Sequence, residues 1–265
     1  MEQDKIGFIG AGRMGSALID GILNAKLAPK TSVLAFDRDE ARLNQLKNRG
    51  IETAKDNRDL TKRCGTIFLA VKPKDMPQVL DEIKDVSQGR LFVSIAAGIK
   101  TTKIEEKLEG RVIRAMPNTP CTVYEGATAF SLGSKATKKD AEKIKRILEA
   151  LGTAVQVDEK LLDAVTGLSG SGPAYIYYTI KALAEAGKEE GIDEKTALKL
   201  AAQTAKGAAQ MLLQTGKTAQ QLIDDVCSPG GTTVEGIKVL EEKKAAEALK
   251  QAVKAAAKRS RELSN

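Results

Sequence analysis

The chain is 265 residues long, carries a formal charge of +7 and contains no histidine, which takes away the commonest general base and metal ligand and argues against most hydrolytic and zinc chemistries. Hydrophobic residues make up 42% and aromatic residues only 3%, so small aliphatic side chains must build the core of a chain long enough for two domains without metal or disulfide staples. Its lysines and arginines alternate with acids instead of clustering with aromatics, a pattern that argues against nucleic-acid binding but leaves a mild positive field for an anionic substrate or phosphorylated cofactor.

Up to Asp158, short apolar runs alternate with helical periods, as in a doubly wound α/β sheet. The strands expected in chain order are Ile6–Ile9, Val33–Phe36, Ile67–Val71, Leu91–Ile95, Val112–Ala115, Ala127–Ser131 and Ala154–Val157. Between them the spacing predicts helices over Met14–Ala25, Glu40–Arg49, Met76–Val86, Thr102–Leu108 and Lys138–Leu151. Runs such as IFLAV and LFVSIA are continuously apolar, which suits strands covered on both faces. Beyond Asp158 the β pattern stops, and Ala, Lys, Glu, Leu and Gln recur at helical spacing, broken at SGSGP, Gly191 and CSPGGTT. The expected architecture is an N-terminal Rossmann-like doubly wound sheet over 1–158 and an all-α domain over 159–265.

The helical half has little bulk for a core of its own, so pairing with a second copy is expected. Cys64, Cys121 and Cys227 stand far apart with no CxxC spacing and read as reduced thiols. The first residues lack the apolar run of a signal peptide or membrane span. A cytoplasmic protein with no metal site and no membrane or nucleic-acid partner is expected.

Gly10-Ala11-Gly12-Arg13-Met14-Gly15 is a GxGxxG that follows a strand and opens a helix. Its glycines permit a tight turn, close backbone approach to a pyrophosphate and close helix–strand packing, with the pyrophosphate on free N–H groups at the positive helix end. The second strand leads to Asp37-Arg38. A carboxylate there accepts hydrogen bonds from an adenosine ribose and repels a 2′-phosphate, whereas an adjacent Arg can clamp that phosphate. NADH and NADPH both remain open as the cofactor.

Towards the C-terminus, Pro229-Gly230-Gly231 forms a turn that exposes backbone N–H groups, and Thr232-x-x-Glu235 predicts a capping box opening a helix. A turn emptying into a helix N-terminus suits a small carboxylate.

Four segments go beyond a generic dinucleotide domain: Ala70-Val71-Lys72-Pro73, Arg114–Pro120 (RAMPNTP), Leu168–Tyr175 (LSGSGPAY) and Asp225–Thr233 (DVCSPGGTT). With the GAGRMG loop, in this order and over essentially the whole chain, they resemble the pyrroline-5-carboxylate reductase family. The resemblance implies NAD(P)H-dependent reduction of 1-pyrroline-5-carboxylate to L-proline, the last step of proline biosynthesis. It places Asn57 and Ala70, Val71, Lys72 and Pro73 on the adenosine side, and Ala96, Ala97 and Gly98 towards the nicotinamide ribose. Ser228, Gly230, Gly231, Thr232 and Thr233 would hold the imino acid, with Thr233 near the ring nitrogen as the catalytic group. An interlocked homodimer, often stacked into larger rings, is also implied. The family usually carries a small polar or basic residue where Asp37 stands, a departure that bears on phosphate preference.

The absence of histidine agrees with imine chemistry, because a cyclic imine is basic enough to arrive protonated, so the protein mainly has to position it. Cys227 lacks a base and reads as a packed thiol, Lys72 as a phosphate contact, and Tyr175, Tyr177 and Tyr178 as core or interface. The alternatives are a relative acting on another imine or on a β-hydroxy acid, although SGSGPAY lacks the catalytic Lys of the latter, and an inactive cofactor-binding regulator, which would not need an intact Ser228–Thr233 loop.

Overall fold

The computed structural model describes residues 5–264. In its first part, eight strands form one sheet: β1 (Ile6–Ile9), β2 (Val33–Phe36), β3 (Glu52–Thr53), β4 (Thr66–Leu69), β5 (Leu91–Ser94), β6 (Arg111–Met116), β7 (Gly126–Leu132) and β8 (Gly152–Gln156). Their order across the sheet is β3-β2-β1-β4-β5-β6-β7-β8. All neighbours are parallel except β6 and β7, which run antiparallel. The crossovers use α1 (Arg13–Asn24), α2 (Glu40–Asn48), α3 (Asn57–Arg63), α4 (Met76–Ile83), α5 (Thr101–Glu105) and α6 (Lys138–Glu149).

Strand periodicity puts a core on each face of this sheet. Ile6, Phe8, Phe68, Val93 and Ile113 pack with Leu18, Ile19 and Ile22 of α1 and Ile144 and Leu148 of α6. Ile9, Ile67, Leu69, Phe92 and Val112 pack with Leu60 of α3 and Val79, Leu80 and Ile83 of α4. Phe8 and Phe68, neighbours in register on adjacent strands, stack with ring centroids 4.9 Å apart. The order of the first six strands reverses between β1 and β4, so the crevice beyond their C-terminal ends is where such a sheet binds a ligand.

The remaining chain is helical: α7 (Leu162–Val165) running into a π-helical turn (Thr166–Gly170), then α8 (Gly172–Glu189), α9 (Glu194–Thr215), α10 (Ala219–Val226), α11 (Thr232–Glu242) and α12 (Ala245–Leu263). The expected boundary at Asp158 follows the end of the strands. By packing, however, the first compact unit runs on to Gly170 and takes in the chain from Ala256, leaving Ser171–Ala255 as the second. The cause lies in the contacts of residues 159–170 with the sheet. Leu162 is wholly buried. The Glu159 carboxylate accepts from the Thr101 N–H and hydroxyl, both at 2.7 Å, and pairs with Arg114 at 3.3 Å. The Asn118 amide donates to the Ser169 carbonyl at 3.0 Å.

Candidate functional site

A cavity of about 560 Å³ opens beyond β1, β2 and β4. Its floor is the glycine loop. Gly10 has φ +99°, and a Cβ there would stand 2.6 Å from the Ala70 carbonyl oxygen. A Cβ at Gly15 would run into the Gly10 carbonyl oxygen, so glycine at position 15 lets α1 lie this close to the end of β1, and glycine at position 10 lets the loop pass Ala70. The loop is tied down by Gly10 N–H to Phe36 O at 2.8 Å and Ser16 Oγ to Ala11 O at 3.0 Å. Gly12 is the N-cap of α1 and provides no side-chain cap, and no acid stands in the first turn. The positive end of a twelve-residue helix therefore faces the cavity with its first N–H groups available to an anion.

Among the predicted cofactor residues, Gly10, Gly12, Arg13, Met14, Asp37, Arg38, Asn57, Ala70, Val71 and Lys72 line this cavity. Ala11 and Gly15 are buried behind it. Pro73 opens a 3-10 turn (Pro73–Asp75), and Ala96, Ala97 and Gly98 follow β5 outside the cavity wall, with Ile95 on it. Gly98 has φ +77°, and a Cβ on it would lie 3.1 Å from the Leu263 carbonyl oxygen.

The polar groups fit a dinucleotide. Asn57 is 97% buried, judged by its 3% exposure; its amide donates to Glu82 at 2.6 Å, yet its Oδ1 has no hydrogen-bond partner among the described residues. A buried acceptor left open on a cavity wall is costly unless a ligand or water donor meets it. Asp37 accepts from the Ala11 N–H at 2.7 Å and the Asp39 N–H at 2.9 Å, bracing the glycine loop to the end of β2. Arg38 reaches Glu82 at 3.8 Å. Arg42, Lys74 and Asp75 also line the cavity and were not singled out in the sequence. Arg42 is the third residue of α2, whose N-cap is Asp39, and nothing in the sequence marks where that helix start sits relative to Asp37.

In the second unit, the Ser228–Thr233 segment forms the expected turn. Gly230 has φ +73°, the Gly231 N–H donates to the Ser228 carbonyl at 2.9 Å, and a Cβ on Gly231 would come within 2.6 Å of Ser228 Oγ. Ser228 and Thr232 are exposed and Thr233 is half-buried in the first turn of α11. The predicted capping box is absent. Gly231, not Thr232, is the N-cap of α11 and no side chain caps it, while Glu235 turns to Lys238 at 2.6 Å. Thr232 is already helical, so its side chain is past the position from which a cap reaches back. The result is a second helix end with unused N–H groups beside two threonines and a serine. Cys227 is half-buried at the end of α10. Tyr177 and Tyr178 are exposed, and the Tyr175 hydroxyl donates to the Ala252 carbonyl at 3.4 Å.

A Rossmann sheet with a glycine loop, an uncapped helix end over a cavity at the switch point and an open acceptor on its wall belongs to the dinucleotide-dependent oxidoreductases. Residues 5–98 match the family model described as NADP oxidoreductase coenzyme F420-dependent, and residues 159–263 match that described as pyrroline-5-carboxylate reductase dimerisation. The chain is 46% identical to a pyrroline-5-carboxylate reductase of Methanosarcina acetivorans, covering 99% of both chains. It also superposes on a pyrroline-5-carboxylate reductase of Coxiella burnetii (TM-score 0.94, 36% identity, 99% of both chains) and on the NADP-bound enzyme of Plasmodium falciparum (TM-score 0.89, 34% identity, 100% of both). The chain belongs to the pyrroline-5-carboxylate reductase family.

Proposed function

We infer that this protein reduces 1-pyrroline-5-carboxylate to L-proline with NADPH or NADH. The observation that carries the reading is the presence in one chain of the glycine-loop cavity and the CSPGGTT turn, matched end to end by pyrroline-5-carboxylate reductases. The bound nicotinamide supplies the hydride. The chain's own residues do the positioning. The GAGRMG loop and α1 N-terminus hold the pyrophosphate; Asp37, Arg38, Asn57 and Ala70–Pro73 surround the adenosine side, and Ala96–Gly98 the nicotinamide ribose. The uncapped N–H groups where the Ser228–Gly231 turn enters α11 hold the substrate carboxylate, and the Thr233 hydroxyl holds the ring nitrogen. An imine that arrives protonated becomes a neutral amine on hydride addition, so no strong acid is required of the protein. That is how a site without histidine can run the reduction.

The dimerisation match over 159–263 supports a homodimer, which can stack into a ring of dimers. Among the described residues no helix is long and apolar enough to cross a membrane; the cytoplasmic location rests on the reduced-thiol reading of the three separated cysteines. The test is direct. Purified protein given 1-pyrroline-5-carboxylate and reduced dinucleotide forms proline and consumes the nicotinamide absorbance in equal amounts; dinucleotide binding without turnover of this substrate sinks the assignment.

A further inference from the structure

We propose that Arg42, rather than Arg38, recognises the 2′-phosphate of NADPH in this chain, an assignment that rests on the dinucleotide reading of the glycine-loop cavity. The starting problem is Asp37, a carboxylate at the end of β2, where a 2′-phosphate would meet repulsion. Asp37 is not left open. Its Oδ2 accepts from the Ala11 N–H at 2.7 Å and its Oδ1 from the Asp39 N–H at 2.9 Å. A carboxylate offers about four acceptor sites, and Arg42 Nη1 lies against Oδ2 as well, at 3.3 Å. The charge that would repel a phosphate is thus bonded to the loop and faced by a guanidinium.

Arg42 is placed to do more than neutralise. It is the third residue of α2, and its Nε pairs with Asp39 at 3.3 Å while Nη1 holds Asp37. A Cβ on Gly12 would stand 3.5 Å from Nη1, so the guanidinium bridges the glycine loop and the β2 end on the cavity wall. Nε and Nη1 are engaged, and Nη2 carries no partner among the described residues. A guanidinium has five donors in a rigid fork, which leaves the Nη2 pair for a ligand that also feels the full positive charge. Arg38 differs: its ion pair is with Glu82, at 3.8 Å, and among the described residues its guanidinium makes no hydrogen bond or ion pair with the loop or the Asp37 carboxylate. Asp37 can then be read as the group that anchors the phosphate-binding Arg and not as the group that excludes phosphate.

The experiment measures NADPH and NADH affinity by titration calorimetry for the wild type, Arg42→Gln and Arg38→Gln, with 2′-AMP and 5′-AMP as fragments. Loss of a charge-assisted contact predicts that Arg42→Gln weakens NADPH and 2′-AMP about tenfold to a hundredfold while NADH changes less than about threefold. The wild type loses NADPH affinity with added salt more steeply than the variant. Arg38→Gln leaves the NADPH/NADH ratio near that of the wild type. Arg42 is about half exposed, so its replacement is compatible with folding, and a melt verifies this. Equal weakening of both dinucleotides in Arg42→Gln assigns it to loop support and overturns the proposal, as does a selective loss in Arg38→Gln. A protein that shows the Arg42-dependent discrimination but no imine reduction refutes the reductase reading alone; one that binds neither dinucleotide refutes both.

Discussion

Thr233 combines a half-buried position in the first turn of α11 with a hydroxyl beside the open N–H groups of the CSPGGTT turn. Thr233→Val keeps its shape and removes the hydroxyl. A lost hydrogen bond to the reacting imine is worth about 1–3 kcal/mol, or roughly tenfold to a hundredfold in kcat/KM, and protonated substrate keeps the loss partial. Steady-state kinetics beside a dinucleotide titration decide: unchanged kcat/KM removes Thr233 from the reaction, and a collapse of cofactor binding moves it to the other site. At this scale the glycine loop and the Ser228–Thr233 turn were legible because their chemistry is local in sequence. Arg42 was not, because its importance comes from where α2 starts relative to Asp37. The Thr232–Glu235 pair has the letters of a capping box, yet the Gly231 N-cap shifts the helix start by one residue and Glu235 finds Lys238 instead.

Among elements, α6 shows how a cap becomes a pH dependence. Thr137 and Asp140 form a capping box, with the Thr137 N–H and hydroxyl donating to Asp140 at 2.9 and 2.7 Å, and Arg111 reaches the same carboxylate at 2.9 Å. Burial pushes the Asp140 carboxyl up, but these donors outweigh it and leave it lowered. A carboxyl lowered in the folded state stabilises above its unfolded value of about 3.9, and that contribution is lost as pH falls through the folded value. Glu52, through Lys5, and Asp59, through the Lys55 N–H, shift the same way. Asp140→Asn is expected to lose about 1–2 kcal/mol at pH 7. In denaturant melts the gap to the wild type narrows below about pH 4; a gap independent of pH would rule out the charge as its origin.

The loop after β5 makes a second test of an element. Asp163 accepts from the Ser260 and Ser264 hydroxyls at 2.6 and 3.2 Å, which fastens the end of α12 where Leu263 meets Gly98. Gly98→Ala meets both a φ of +77° and that carbonyl, whereas Gly89→Ala has a similar φ, +75°, and open space. Both substitutions cost backbone strain of about 1–2 kcal/mol. Only Gly98→Ala is expected to raise the KM for dinucleotide, by roughly tenfold, and equal kinetics in the two variants would separate the 96–98 loop from the cofactor. Most strands were legible from apolar runs, but β3 and α3 were not. β3 is two residues long, and α3 reads NRDLTKR, with a single large apolar side chain. The strand expected over Ile67–Val71 ends at Leu69; the Ala70 N–H still donates to the Ile9 carbonyl at 2.8 Å, but Ala70 and Val71 line the cavity, and an apolar cavity wall reads like a strand.

For the whole molecule the decisive quantity is apolar surface without a partner. Within Ser171–Ala255 the buried residues are only Ala197 and Ala201. Meanwhile Tyr178 is 77% and Leu213 81% exposed, and Ile176, Tyr177, Leu183, Leu198, Leu200, Met211 and Leu212 are exposed as well. Soluble monomers rarely expose this much apolar surface, and a domain of this size is marginal without burying it, whereas burying each large side chain against a second copy contributes about 1.5–3 kcal/mol. The Ala-rich, aromatic-poor composition signalled this shortage. It did not signal that residues 159–170 would pack with the sheet, because the loss of β pattern and the loss of contact with the sheet need not coincide. Dimer formation is therefore expected to be coupled to folding of this unit, and with it to the Ser228–Thr233 turn. The double variant Tyr178→Glu, Leu213→Glu introduces charges that cannot be buried cheaply on α8 and α9. Sedimentation velocity near micromolar concentration is expected to show a dimer for the wild type and monomer for the variant. Activity falls with the dimer, while binding of dinucleotide to the first unit, whose core is its own, is lost to a smaller degree. A wild type that sediments as a monomer with full turnover would show that the exposed helices satisfy themselves in another way.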